Sequence, residues 1–396
     1  MENGQYLLNL KYLYTCTSKS RLENKYSEKV LQSMTWRDEI GADNLLETYT
    51  MPEIIKKYYP GGLCGHDKEG RPIWIDPLGR SDMKGILLSV KKSDVIKSMI
   101  QRMELFCSQF SVYSKMLGKH VDQGVQILDM EGFGARIMYK PALDLFIELL
   151  HILDDNYPET LKRTYIINAP RMFHVGWRFL KTFLNEDTAK KFKFLDKDFP
   201  EKLLEVIDAD QLPVYYGGTK CDPDGNPKCE SLVCYGGIVP KELYKNRDDF
   251  FPPGIPPKQH LLGRSGTFSV GFSVPDSRHV IQYVFAVDWG TLDFGVFLSP
   301  VDNDADGATI CSDPGMNDVN KMDVFQPITT IDCSRVPEDG LLIFEKPGYY
   351  CVYFRNTSRI YRKTLTYVMD VKVVQETEIL DTDVTMETAT GEITQL

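Results

Sequence analysis

Between residues 72 and 207, short apolar runs the length of strands alternate with stretches long enough to be helices. Pro72-Ile73-Trp74-Ile75-Asp76, Val125-Gln126-Ile127-Leu128-Asp129-Met130, residues 163–168 and Phe192-Lys193-Phe194-Leu195 read as strands. Residues 93–117 carry apolar side chains at 95, 96, 99, 103, 106 and 110, a helical period with Ser93 as its expected cap. Residues 141–153 are apolar almost all round, which predicts a helix covered on several sides. Further helices are expected from about 171 and over 200–207. Parallel strands need a crossover of a dozen or more residues, most often a helix. The alternation therefore predicts an α/β fold with a mostly parallel sheet.

At about residue 213 the pattern changes. Asp222-Pro223-Asp224-Gly225-Asn226-Pro227 is a strong turn signal, and Phe251-Pro252-Pro253-Gly254-Ile255-Pro256-Pro257 is a proline-rich connector. Beyond it helical periodicity disappears. Short strands are expected at 266–274, 280–288, 293–298, 340–345, 348–354 and 364–374, a series that predicts an antiparallel β-sandwich. The expected organisation is a short, diverged N-terminal helical lobe (1–50, with helices at 6–13 and 27–36), an α/β domain (51–220), a linker (221–260), a sandwich (261–375) and a tail (376–396). The tail has six acidic residues and no Lys or Arg, so it is expected to be disordered.

The 396 residues carry a formal net charge of −10, which argues against a nucleic-acid partner for the molecule as a whole. No uncharged apolar run reaches the length of a membrane span. Met1-Glu2-Asn3-Gly4 lacks the basic start and apolar core of a secretory signal, and the nine scattered cysteines suit reduced thiols. A cytoplasmic protein is expected.

The usual signatures of chemistry are weak. Asp302-Asn303-Asp304-Ala305-Asp306-Gly307 opens like a calcium loop, with Asp313 at position 12. A strand pattern leads into it, however, and the long bidentate Glu that such loops want is missing. Cys221, Cys229 and Cys234 lack the close pairs of a zinc site. Gly132-Phe133-Gly134 has no third glycine for a dinucleotide, and no Gly-x-Ser-x-Gly elbow appears. No metal, cofactor or catalytic residue is expected.

The segment after the strand at 163–168 is more informative, because ligands of open α/β sheets sit at strand ends. The chain passes through Asn168-Ala169-Pro170 into a helix where Phe173, Trp177, Leu180 and Leu184 share one face and Phe179 and Phe183 widen it. A core-facing helix would look like this. Arg171, Arg178, Lys181, Lys190, Lys191 and Lys193 nevertheless meet only Glu186 and Asp187 across 171–193. A cationic helix with an apolar face can also lie on an anionic membrane, which makes Arg178, Lys190 and Lys191 candidate membrane contacts.

Several stretches carry a resemblance. They are Tyr59-Pro60-Gly61-Gly62-Leu63-Cys64-Gly65-His66-Asp67, Asp129-Met130-Glu131-Gly132, Asn156-Tyr157-Pro158-Glu159-Thr160-Leu161-Lys162-Arg163, Phe183-Leu184-Asn185-Glu186-Asp187-Thr188, and Gln211-Leu212-Pro213-Val214-Tyr215-Tyr216-Gly217-Gly218-Thr219 running into Asp222-Pro223-Asp224-Gly225-Asn226-Pro227-Lys228-Cys229. In order and spacing the chain resembles the CRAL-TRIO lipid-exchange family over roughly residues 45–375. It is most similar to the branch with a C-terminal GOLD (Golgi dynamics) domain, which includes supernatant protein factor and tocopherol-associated proteins. Gly348-Tyr349-Tyr350-Cys351-Val352-Tyr353-Phe354-Arg355-Asn356 is similar to a GOLD strand pair.

The resemblance implies a non-catalytic carrier. A sheet floors an apolar cavity, one hydrophobic molecule sits inside, and the helix after Asn168-Ala169-Pro170 acts as a gate that opens at a membrane. It implies cavity and gate roles for Phe173, Trp177, Phe179, Leu180, Phe183, Leu184, Leu128 and Ile166. Family members that bind phosphatidylinositol frame its headgroup with a Glu and a Lys; Glu159 and Lys181 are the expected counterparts. Thr160 stands where such members often carry Arg and makes no bidentate phosphate contact. An isoprenoid such as tocopherol, squalene or a retinoid is therefore expected beside a phospholipid as the ligand. The resemblance also implies transient visits to Golgi or endoplasmic reticulum membranes and a protein partner for the GOLD domain. The alternatives are a trafficking scaffold whose GOLD domain recruits partners, and a lipid esterase.

Overall fold

The computed structural model describes residues 20–134, 139–181, 184, 186–276, 279–299, 310–311, 322–344 and 346–373. The expected helix at 6–13, the acidic loop at 302–313 and the tail at 376–396 lie outside them. The chain divides into two compact units between Phe250 and Phe251.

The first unit is built on a five-stranded sheet. Its strands, in spatial as well as chain order, are β1 (Gly62–His66), β2 (Pro72–Asp76), β3 (Gly124–Asp129), β4 (Leu161–Ile167) and β5 (Phe192–Phe194). β1 is antiparallel to β2, and all other neighbours are parallel. The helices that matter for the site are α1 (Ser20–Ile40), α2 (Lys92–Leu117), α3 (Lys140–Asn156), α4 (Arg171–Leu180), α5 (Glu186–Lys190) and α6 (Phe199–Val206). α2 begins one residue before the expected start. Lys91 takes the cap position and Ser93 lies inside the first turn.

Because successive side chains of a strand point to opposite faces, the register sorts the sheet residues into two sets. Ile73, Ile75, Val125, Ile127, Tyr165 and Ile167 point one way and pack on Leu203, Leu212, Tyr216 and Val233 in a closed core. On the opposite face, Trp74 pairs with Gln126, Gln126 with Thr164, and Thr164 with Phe192. The next row runs through Asp76, Leu128, Ile166 and Phe194. One sheet face is thus purely apolar and filled. The other mixes aromatic, polar and aliphatic residues.

The segment read as a linker, 221–260, is not one. Cys229 and Val233 are fully buried in the sheet core, and the Gly61 amide donates to the Cys234 carbonyl at 2.8 Å. Apolar residues spaced irregularly among turn signals gave no strand or helix period, yet they cover a sheet face. Residues 258–262 form a strand of the second unit.

That unit has two antiparallel sheets. One has the order β10 (Ile310–Cys311), β7 (Thr267–Val274), β13 (Gly348–Asn356), β9 (Leu292–Ser299), β11 (Asp323–Ile331). The other has the order β12 (Glu338–Ile343), β8 (His279–Val287), β14 (Lys363–Val373), β6 (Lys258–Leu262). Alternate residues of both sheets meet in one core, where the rings of Phe285 and Phe294 lie 4.8 Å apart. Strand β11 escapes sequence reading because it contains Pro327, which lacks an amide donor. It is tolerated because β11 stands at a sheet edge.

Helix α1 is tied to the first unit by buried charge. Arg37, 3% exposed, pairs with Glu104 of α2 at 2.9 Å and with Asp43. The Tyr157 hydroxyl donates to the same Glu104 carboxylate, and the Arg37 guanidinium lies over the Tyr157 ring. Removing one member of a buried pair strands the other charge. Arg37→Met is therefore expected to destabilise the first unit by about 3–5 kcal/mol in urea unfolding, whereas Lys29→Met, at an exposed pair with Asp155, changes it by less than about 1 kcal/mol.

Candidate functional site

A cavity of about 280 Å³ opens over the mixed face of the sheet. Ligand pockets run from about 300 to 1,000 Å³, so it lies just below that range. Trp74, Asp76, Gln126 and Leu128 form its floor; Met99, Arg102, Met103 and Phe106 of α2 form one wall. Phe146, Leu149, Leu150 and Leu153 of α3 form another, which explains why that helix is apolar beyond a single stripe. Gly124 lets α2 approach: a Cβ there would fall 2.0 Å from the Phe106 ring.

The rim is the turn at Tyr157-Pro158-Glu159-Thr160-Leu161 together with Leu184, Thr188, Lys191 and Phe192. Glu159 has φ 58°, the left-handed region that non-glycine residues rarely adopt. The Thr160 hydroxyl donates to the Tyr157 carbonyl at 2.8 Å and pins the turn. Lys191 Nζ reaches Glu159 Oε2 at 2.9 Å, with the Lys191 side chain 19% exposed and that of Glu159 56%. Lys181, the residue expected to partner Glu159, is exposed and does not line the cavity. The cation brought to Glu159 is thus Lys191, which the sequence reading had assigned to the membrane surface.

The deep end is polar. Asp76 accepts from Trp74 Nε1 at 2.9 Å and from Gln126 Nε2 at 2.6 Å, while the Thr164 hydroxyl donates to Gln126 Oε1 at 3.0 Å. Burial pushes the Asp76 carboxyl above the ordinary range, against the opposing pull of these donors and of Arg102. Burial likewise lowers the Arg102 guanidinium. Arg102 donates to the carbonyls of Pro60 at 2.7 Å and Tyr59 at 3.1 Å and sits over the Tyr59 ring. Sequence reasoning placed Asp76 at a strand end and left Arg102 unremarked. The signal that could have found the site is one polar residue within each of three otherwise apolar strand runs: Asp76, Gln126 and Thr164.

Of the expected cavity and gate residues, Leu128 and Leu184 line the cavity. Phe173, Trp177 and Ile166 belong to a neighbouring cluster with Leu128 and Met130. There α4 lies on the sheet edge: Trp177 contacts Phe192 at 4.6 Å between ring centres, and Phe173 contacts Phe133 at 5.2 Å. The side chains of Phe179 and Leu180, and all of Phe183, lie outside the described residues. Arg178 is exposed, and Lys190 is exposed and paired with Asp187 at 2.9 Å.

At the strand ends, Asn168, with φ 52°, donates to Asp129 Oδ1 at 2.8 Å and fixes the entry to α4. Beside it, Glu131 accepts from Tyr215 and pairs with Arg80. The Tyr215 hydroxyl and Arg80 hold the Glu131 carboxyl below the usual range. A depressed carboxyl stabilises the fold above its unfolded pKa and loses that contribution as pH falls through the folded value. Glu131→Gln is therefore expected to flatten the acid limb of stability below about pH 4.5 and leave it unchanged in slope between pH 6 and 8, by urea midpoints.

The first unit thus combines a parallel-rich sheet, a cavity on one of its faces and an aromatic helix at the strand ends. Residues 56–218 match the CRAL/TRIO domain family. The chain is 30% identical over 236 residues to "Protein real-time" of Aedes aegypti, covering 59% of this chain and 35% of that one. It is 33% identical over 216 residues to "Protein real-time" of Drosophila pseudoobscura pseudoobscura, covering 54% and 31%. The chain thus spans about a third of the length of the curated relatives it matches. The solved structure of Sfh5 overlaps 57% of this chain and 75% of its own, at 19% identity and a TM-score of 0.46. Among the described residues, no helix is long and apolar enough to cross a membrane.

Gly61, with φ 122°, lies against the polar floor, where a Cβ would fall 2.5 Å from Asp76 Oδ1 and 3.0 Å from Trp74 Nε1. Gly61→Ala is expected to cost about 1–3 kcal/mol in unfolding experiments, through backbone strain and displacement of Asp76.

Proposed function

We propose that this protein carries one hydrophobic molecule in the cavity over the mixed sheet face and exchanges it at a membrane without breaking a bond. The observation that carries the reading is the cavity itself: apolar walls from α2 and α3, a single charged rim, and a family match over the residues that build it. Burying an apolar chain gains about 0.8 kcal/mol per methylene, enough to hold a lipid until something opens the site. In this reading α4 is the gate. Its Phe173 and Trp177 hold it against the sheet edge, while Arg171, Arg178 and Lys181 remain exposed for an anionic membrane surface.

A charged headgroup would meet Glu159 and Lys191 at the rim. Lys191 takes the role that the sequence suggested for Lys181, because it is Lys191 that faces the cavity. The ligand classes remain an isoprenoid such as tocopherol, squalene or a retinoid, or a phospholipid. The second unit, an antiparallel sandwich of the kind expected of a GOLD domain, serves a protein partner in this reading, with the chain cytoplasmic and visiting Golgi or endoplasmic reticulum membranes.

Transfer of fluorescent lipids between donor and acceptor vesicles tests this. Wild-type protein is expected to accelerate transfer. Trp177→Asp is expected to raise leakage of bound lipid and lower transfer about tenfold. Lys191→Ala is expected to reduce transfer of phosphatidylinositol about tenfold more than that of a neutral lipid, with Lys181→Ala showing no such bias. Vesicle transfer that wild-type protein does not accelerate would refute the carrier function.

A further inference from the structure

The polar deep end of the cavity helps to fasten α2, through Arg102 and the carbonyls of Tyr59 and Pro60, and it also faces the cavity. Two opposite charges face one another across Gly61: its would-be Cβ lies 2.5 Å from Asp76 Oδ1, 3.0 Å from Trp74 Nε1 and 3.3 Å from an Arg102 terminal nitrogen. Three polar atoms therefore converge beside a residue with no side chain. Among the described residues Asp76 and Arg102 make no direct ion pair; each is held by neutral partners. A carboxylate offers about four acceptor positions, and Trp74 and Gln126 take two. A guanidinium offers about five donor hydrogens, and the carbonyls of Tyr59 and Pro60 take two. An acceptor and a donor thus keep capacity near one another, at the end of a cavity whose α2 and α3 walls are mostly apolar.

We infer that the floor is a binding station for one hydroxyl group, so that the cavity selects an apolar molecule ending in an alcohol and takes it in hydroxyl first. The inference rests on the carrier reading of the same cavity and names its ligand class. A hydroxyl donates one hydrogen bond and accepts others, so it serves Asp76 and Arg102 at once. It brings no charge into a site where burial already disfavours the ionised form of both. A carboxylate or phosphate at the same depth would place a like charge beside Asp76. An ether or hydrocarbon would bring no donor for the acceptor positions of Asp76 that Trp74 and Gln126 leave unused. Gln126, whose carbonyl is engaged by Thr164, is fixed with its amide toward Asp76 and so orients the carboxyl for the ligand. Asp76 and Arg102 are specificity-determining residues on this account, and Gln126 and Thr164 are positioning residues.

The test is a titration of the full chain, stripped of bound lipid, with dodecanol, dodecyl methyl ether and dodecanoic acid. Tryptophan fluorescence reports binding, because Trp74 lies in the cavity floor. Dodecanol is expected to bind about ten- to a hundredfold more tightly than the ether, the range of a hydrogen bond to a charged group. It is also expected to bind more tightly than the acid. In Asp76→Leu, alcohol affinity is expected to fall to that of the ether, with ether affinity retained. The wild-type comparison stands if that variant fails to fold. Equal affinity of wild-type protein for alcohol and ether overturns the hydroxyl station and leaves the carrier reading intact. Tightest binding of the acid overturns it in favour of Arg102 as an anion anchor. Binding of none of the three overturns both.

Discussion

A five-stranded sheet with two unlike faces governs this molecule. The register that stacks Ile73, Ile75, Val125 and Ile127 against Leu203, Leu212 and Tyr216 forces Trp74, Asp76, Gln126 and Thr164 to the other side. A filled apolar face supplies the stability of the domain, and the second face need not be closed. Helices α2 and α3 cover it and are fastened at their margins. Arg102 is held by the carbonyls of Tyr59 and Pro60, Phe106 lies over Gly124, and Tyr157 joins Glu104 and Arg37. Those polar and steric fastenings keep the middle open. Interiors otherwise pack to crystal-like density.

The same face explains why the rim and the deep end differ. At the rim Glu159 and Lys191 remain in contact with solvent, so a charged group there keeps part of its hydration. At the deep end Asp76 and Arg102 are only partly exposed and face the cavity, so a polar atom entering there exchanges water for their hydrogen bonds. Burial there turns hydrogen-bond complementarity into selectivity, while at the rim it gives little more than attraction. A chain with one station of each kind is suited to an amphiphile lying along the cavity.

Much of this architecture was legible. Short apolar runs and helix-length crossovers gave β2 to β5 and α2, α3, α4 and α6 with ends shifted by a residue or a few, and turn-punctuated runs gave six strands of the second unit. What was not legible has physical causes. β1 is Gly62-Leu63-Cys64-Gly65-His66, whose glycines carry no β propensity, and Pro327 disguised an edge strand. Residues 221–250 lack any period, since a segment draped over a sheet needs only scattered apolar anchors such as Cys229 and Val233. The site was half legible. Glu159 stood out at its turn, but its cation did not. Lys181, Lys190 and Lys191 are indistinguishable by type, and only the short strand after α5 brings Lys191 inward. Asp76 and Arg102 lie 26 positions apart in chain number and meet only across the sheet–helix gap.

The central claim is that a hydrophobic molecule occupies the space between the mixed sheet face and helices α2 and α3. Purified protein, analysed by native mass spectrometry and then extracted with organic solvent, tests it most directly. The account predicts a mass excess corresponding to one apolar molecule per chain, recovered in the extract, and lost when Leu149→Trp fills the cavity in a protein that still unfolds cooperatively. A chain that carries no such mass, and gains none on incubation with lipid vesicles, would contradict it.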